Sequence, residues 1–227
     1  MPDNNLPPVP PLRGWPGKNE LLALLESCGV VDTTSAQFGQ LNLQAKIEAA
    51  IDTFEEQTQW TPFLADGNPT TRTYDFPAGG YLNLDGGLVT LTSVASGGQV
   101  LTAGLHYIVK PDNAPQRKKP YTSMALRGGL SVPLGTSYGY RRTVDVTGVW
   151  GFAASLPASV FDAVLGYAAA LCVPQIALNI SKGLYEKRAG DEMERFGGAG
   201  HSPLSAEATM WTTTFTQAVK AKKRIRL

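Results

Sequence analysis

The chain has 227 residues, enough to bury a sizeable core as one large domain or two small ones. Hydrophobic residues make up 43% and charged residues 17%, which defines a globular and lightly charged protein. The formal net charge of +1 excludes whole-chain attraction to nucleic acid, so any basic character is local.

Residues 1–17 are rich in proline and carry Gly14 and Gly17. Proline fixes φ and removes a donor, so this stretch reads as an extended arm. Pro8-Val-Pro-Pro11 forms a P-x-x-P, a match common by chance. The start, Met1-Pro-Asp-Asn-Asn-Leu-Pro-Pro, has no basic region followed by an apolar one and does not read as a signal peptide.

Asn19 is the expected cap of a first helix, Glu20–Cys28, which Gly29 ends. Asp32–Gln40 is a polar link, and Asn42 caps a second helix over residues 43–59. Leu43, Ile47, Ala50, Ile51 and Phe54 repeat at the spacing of one helical face, with Lys46, Glu48, Asp52, Glu55 and Glu56 mostly opposite. Trp60, Pro62 and Phe63 then turn the chain.

The period changes after residue 70. Thr71–Phe76, Tyr81–Leu84, Val89–Val94, His106–Lys110, Met124–Leu126 and Val144–Trp150 read as strands, rich in Val, Thr, Tyr and Leu. Ser96-Gly97-Gly98 fits a hairpin turn. Gly79-Gly80 and Gly86-Gly87 read as turn glycines. Pro111–Tyr121, with Arg117-Lys118-Lys119, reads as an exposed loop.

A third helix starts near Pro157, with Val160, Val164, Tyr167, Ala168 and Leu171 on one face. Pro174 is expected to kink or end it, although the helix is bounded at residue 180. Val160–Ile180 is the one stretch of membrane-span length. Asp162, Pro174, Gln175 and Asn179 interrupt it, and no span is expected. Gly197-Gly-Ala-Gly200 marks a flexible link. Ala206–Ala221 reads as a last helix or as partly extended, since its threonines, Trp211 and Phe215 suit both. The whole is α+β: packed helices with a β-rich insertion over residues 70–150, and extended arms at both ends. Residues 18–200 form one interleaved domain.

Chemistry is sparse. No phosphate loop is present, because Gly79-Gly-Tyr and Gly86-Gly-Leu lack the lysine and its spacing. His106 and His201 lie far apart and form no zinc pair with Cys28 or Cys172, which read as buried free thiols in a reducing compartment. No pair of carboxylates is singled out for acid–base work. No catalytic residue, cofactor or metal is expected. The tail Lys220-Ala-Lys-Lys-Arg-Ile-Arg-Leu227 is sharper, with five basic residues in eight. Ile225 and Leu227 alternate with Arg224 and Arg226, a pattern suited to a strand that adds to a partner, with a solvated tail and a nucleic-acid contact as the other readings.

The order of these segments resembles the head–tail connector, or adaptor, proteins of tailed bacteriophages. The elements that carry the resemblance are Gln57-Thr-Gln-Trp60-Thr-Pro-Phe63, Arg72-Thr-Tyr-Asp75-Phe-Pro77 and Leu88-Val-Thr-Leu-Thr-Ser-Val94. They continue in Leu105-His-Tyr107, Val144-Asp-Val-Thr-Gly-Val-Trp150-Gly, Leu156-Pro157 and Gly183–Asp191, where Glu186 and Gly190-Asp191 match a Ser-Glu-x-x-Gly-Asp segment. The resemblance spans residues 18–195. It implies a non-enzymatic virion protein at the head–tail interface, assembled in the host cytoplasm. It also implies a ring, commonly of twelve copies, that docks under the portal and carries the next neck or tail component. DNA would pass through the lumen without sequence-specific binding, and no membrane is involved.

Within that frame Ile47, Ile51, Phe54, Val164, Tyr167 and Leu171 are the expected ring-packing residues. Lys220, Lys222, Lys223, Arg224, Ile225, Arg226 and Leu227 form the expected portal-docking segment of an arm over residues 201–227. The rival reading is a β-rich glycan- or cell-surface-binding module presenting Tyr81, Tyr121, Tyr138 and Tyr140. A hydrolase using His106 and His201 is a third.

Overall fold

A computed structural model describes residues 13–28, 42–75, 80–127, 143–182, 188–189, 192–193 and 204–224. The change from helical to strand period marks a division of the chain. Trp60–Leu156, with Arg13 and Gly14, builds a β unit, and Trp15–Gln59 with the residues from Pro157 onward builds a helical unit. The expected single interleaved domain is thus two units, each with its own core.

The β unit contains β1 (Thr70–Asp75), β2 (Tyr81–Ser96), β3 (Gln99–Val100), β4 (Tyr107–Lys110), β5 (Tyr121–Leu126) and β6 (Thr143–Trp150). They form one antiparallel sheet in the order β1-β6-β2-β5-β4, with β3 paired to β2. Strand alternation drives Leu84, Val94, Met124, Val144 and Val146 into one core. The other face is polar. There Thr71 and Thr147 share a 2.8 Å hydroxyl contact, and Thr73 donates to Asp145 at 2.7 Å.

β2 is one strand where the sequence suggests two. Gly86 and Gly87 sit inside it, at φ +79° and +75°, where the register with β5 shifts between Asn83 and Leu88. They make a bulge, not a turn. A Cβ on Gly87 would stand 2.9 Å from both Pro120 and Trp60, so glycine is also required by packing. Leu88 lies opposite both Tyr121 and Trp150, and beyond it β2 leaves β5 and pairs with β6, with β3 added on its other edge at Ala95 and Ser96. The hairpin at Gly97-Gly98 forms as expected, with Ser96 opposite Gln99 and both glycines at positive φ.

Other strand limits shift for local reasons. β4 starts at Tyr107 because the His106 ring closes a turn, its Nδ1 accepting the Thr102 N–H at 2.8 Å. β5 starts three residues early, at Tyr121. The expected loop before it is a compact run of turns with Ala114 and Pro120 buried.

The helical unit holds α1 (Lys18–Ser27), α2 (Leu43–Thr58), α3 (Ala158–Lys182), a short ribbon of β7 (Arg188–Ala189) and β8 (Glu192–Met193), and α4 (Ser205–Lys222). α1 starts earlier than Asn19 allows, because Gly17 occupies the cap position and the Glu20 carboxylate accepts its N–H at 3.1 Å. Asn42 caps α2 as expected, its Oδ1 accepting from Ala45 N at 3.1 Å. Gln59 ends α2 in the left-handed conformation, φ 61°.

α3 does not end at Pro174. The proline is exposed, so its ring meets solvent rather than the bundle, and packing of the rest of the helix outweighs one lost backbone bond. Ala158–Ile176 is long and apolar enough to cross a membrane by length and composition. Its Val160, Val164, Ala168, Ala169 and Cys172 are buried within the helical unit. Gly166 leaves a slot for Trp211 of α4, where a Cβ would lie 3.0 Å from the indole.

An aromatic chain runs through this core. Trp15 meets Phe54 edge-on at 6.2 Å, Phe54 meets Phe215 at 5.8 Å, and Phe215 stacks on Tyr167 at 4.1 Å. The buried Phe54 and Phe215 each contribute about 1.5–3 kcal/mol by removal of apolar area from water.

Candidate interaction surfaces

The expected ring-packing residues divide by exposure. Ile47, Phe54 and Val164 are at most 1% exposed within the single chain. They are therefore core of the helical unit and cannot line a contact between copies. Ile51, Tyr167 and Leu171 are half-buried. Helical periodicity identifies an apolar face correctly. It does not say whether the same chain or another covers that face.

The expected docking arm is also rearranged. Ser205–Lys222 is helical, and its Trp211, Phe215 and Val219 are buried, so most of this segment belongs to the bundle. Lys220 and Lys222 lie in the last turn of α4, where positive charge faces the negative end of the helix dipole. Lys223 and Arg224 follow the helix, and the Arg224 N–H donates to the Thr58 carbonyl at 2.9 Å. Ile225, Arg226 and Leu227 lie outside the described residues, as do most of Gly183–Asp191 and His201.

The β unit gathers groups that the sequence does not connect. Arg72 on β1 stacks over the Trp150 ring, 4.3 Å from its centroid, and donates to the Asp85 carbonyl at the β2 bulge. Trp150 Nε1 donates to Thr70 O at 2.9 Å, and Tyr74 lies 6.1 Å from the same ring. Burial raises the Tyr74 phenol above its ordinary value, while the Arg72 charge offsets part of that rise. Antiparallel pairing of β1 with β6 puts these residues together, and no local motif announces it.

A second aromatic group closes the base of the β unit. Phe63 stacks on Phe152 with centroids 4.7 Å apart, and Trp60 lies 5.1 Å from Phe152. The Phe152 and Ala153 N–H groups both donate to Phe63 O, and Ala65 N donates to Ala153 O. These contacts hold the two ends of the β unit together.

The turn at Pro111–Pro120 presents Arg117, Lys118 and Lys119 to solvent on a fixed frame. Arg117 N bonds Asn113 O, and Lys119 N bonds Ala114 O. The Lys110–Asp112 pair nearby, 2.8 Å, is exposed on both sides and worth little.

Tyr81 is 71% exposed, as a glycan-binding platform requires. Tyr121, however, packs against the β core, so the two do not form a common platform. Tyr138 and Tyr140 lie outside the described residues. His106 is committed to its turn. Among the described residues no group of three or more His, Cys, Asp or Glu could hold a metal ion. Both cysteines are free. Cys172 is buried as expected, but Cys28 is only half-buried, next to the Ser27 hydroxyl at 4.0 Å.

No family model matches the chain, and no curated protein matches it. Among solved structures it is similar to a chain in the neck of an empty gene transfer agent particle. That pair has 18% identity and a TM-score of 0.45, over 91% of this chain and 90% of that one. It is also similar to a chain in the virion of a native gene transfer agent particle, at 18% identity and a TM-score of 0.42 over 95% of each.

Proposed function

We propose that this chain is a structural virion protein of the neck, a head–tail connector that forms a ring under the portal and carries the next neck or tail component. In this reading it has no catalytic role, DNA passes through the ring lumen, and the virion is its destination. The observation that carries the reading is the placement of the β unit inside the helical chain. The segments that resemble the connector family sit at the junctions: Trp60 and Phe63 after α2, Trp150 and Phe152 after β6, and Leu156-Pro157 before the Ala-rich α3.

The portal contact is assigned to the segment after α4. Lys223 and Arg224 lead it, and Ile225, Arg226 and Leu227 supply the alternating apolar and basic side chains. Main-chain pairing with a portal edge would give affinity, and acidic portal residues would meet the arginines.

The test uses the chain and the portal protein encoded with it. Mass photometry of the chain, alone and with portal, should reveal a ring of defined copy number or a portal-bound ring. An Ile225→Ser plus Leu227→Ser variant should lose portal binding while keeping its fold. A wild-type chain that neither assembles nor binds portal would sink the reading. Equal portal binding by the variant would remove the tail from it.

A further inference from the structure

The outer face of α4 carries threonines whose hydroxyls are already satisfied. Thr209, Thr212, Thr213 and Thr216 donate to the carbonyls of Ser205, Ala208, Thr209 and Thr212, at 2.8–2.9 Å. The face therefore presents mainly methyl groups, and covering it leaves no hydroxyl donor unpaired. With Ala170 of α3, Ala208, the Gln217 amide and Lys220 it lines a shallow groove. Met210, 58% exposed, borders the same face.

The outer face of α2 is its counterpart. Ala45, Ala49 and Thr53 form a row of small side chains at four-residue spacing, with Thr53 tied back to Ala49 O at 2.7 Å. Beside it runs an exposed row of Glu48, Asp52 and Glu56, also four residues apart. Like charges at that spacing repel, so the row weakens α2 on its own. None of these three carboxylates forms an ion pair among the described residues. The same holds for the Lys220 and Lys223 ammonium groups.

We propose that the occupant of the α4 groove is the α2 outer face of a second copy of this chain. Two rows of small side chains allow close helix approach, and the acidic row of one copy then meets Lys220 and Lys223 of the next. The contact joins two different faces. It is therefore head-to-tail, and it propagates around a ring instead of stopping at a dimer. This deepens the ring reading given above by naming its subunit interface.

Two charge-reversed chains test it. One carries Lys220→Glu and Lys223→Glu, and the other Glu48→Lys, Asp52→Lys and Glu56→Lys. All changes are at the surface, and circular dichroism checks that each chain stays helical. Each variant alone should fail to assemble, with at least a tenfold higher dissociation constant than wild type by sedimentation velocity. An equimolar mixture should assemble again, because every interface then pairs opposite charges in an alternating ring. Variants that assemble like wild type, or a mixture that stays dissociated, would overturn the interface and leave the ring reading intact. A wild-type chain that never self-associates, either alone or with portal present, would overturn both.

Discussion

The backbone N–H of Arg224 donates to the carbonyl of Thr58 at 2.9 Å, tying the chain just after α4 to the last residue of α2. Carbonyls in the final turn of a helix have no intrahelical donor, and this bond satisfies one of them. The basic tail thus starts from a fixed point.

Removing Ile225–Leu227 should leave the melting temperature within about 2 °C of wild type, because the tie at Arg224 is kept. Removing Val219–Leu227 should cost about 2–4 kcal/mol, since it deletes the buried Val219 and the Arg224 bond together. Thermal melts of the two truncations separate the part of the tail that stabilises the fold from the part to which portal binding is assigned.

Gly148 should tolerate no side chain. A Cβ there would run into the Thr90 carbonyl and Leu88 of β2, and backbone cannot move aside cheaply. Gly148→Ala should cost about 3 kcal/mol in chemical denaturation. Gly98→Ala is the contrast: nothing lies within 4 Å of its Cβ, and only φ +80° opposes it. Its cost should be about 1–2 kcal/mol.

Arg72 and Trp150 should be energetically coupled. Trp150→Phe removes the donor to Thr70 O and should cost about 1–2 kcal/mol. A double-mutant cycle with Arg72→Met should return a coupling of about 0.5–1 kcal/mol for the stacked cation. Simple additivity of the two changes would mean that the guanidinium contributes nothing through the ring.

Alkali should destabilise the protein in a defined order. Burial raises the Cys172 thiol from 9.0 to about 11. An acid whose folded pKa is raised favours the fold fully below its unfolded value and loses that contribution as pH rises through the folded one. Stability should therefore fall between pH 9 and 11, and Cys172→Ala should flatten that part of the curve. Tyr74 and Tyr107, also raised by burial, continue the decline from near pH 10.0 upward. At neutral pH a thiol reagent should modify half-buried Cys28 in the native protein and reach Cys172 only on unfolding.

Where one local rule decides the outcome, the sequence is informative. Asn42 as a cap, the α2 stripe, the Gly97-Gly98 hairpin and the strands β1, β4 and β6, to within a residue or so, follow from spacing and turn chemistry. What it misses depends on non-local packing. Gly86-Gly87 looks like a turn until Trp60 and Pro120 are brought against it. Pro174 looks like a helix end until the rest of the bundle is counted. The α2 stripe reads equally as a core face or a contact face. The α4 threonines look hydrophilic because their hydroxyl bonds to the preceding turn appear only once the segment is helical. The Arg72–Trp150 pair requires a β1–β6 register that no short motif encodes.

Leu64 and Ala153 form a parallel bridge beneath the Phe63–Phe152 stack. The two ends of the β unit therefore lie about 5 Å apart, the spacing of neighbouring strands. A segment with such closely held ends behaves as a cassette. It can lengthen, shrink or be swapped for another hairpin-rich piece without asking α2 and α3 to part, because the gap to be bridged stays the same. Natural variation in length should gather between residues 65 and 152. A graft made there, leaving Trp60, Phe63 and Phe152 in place, is the cut best suited to transplanting a new surface onto this helical scaffold.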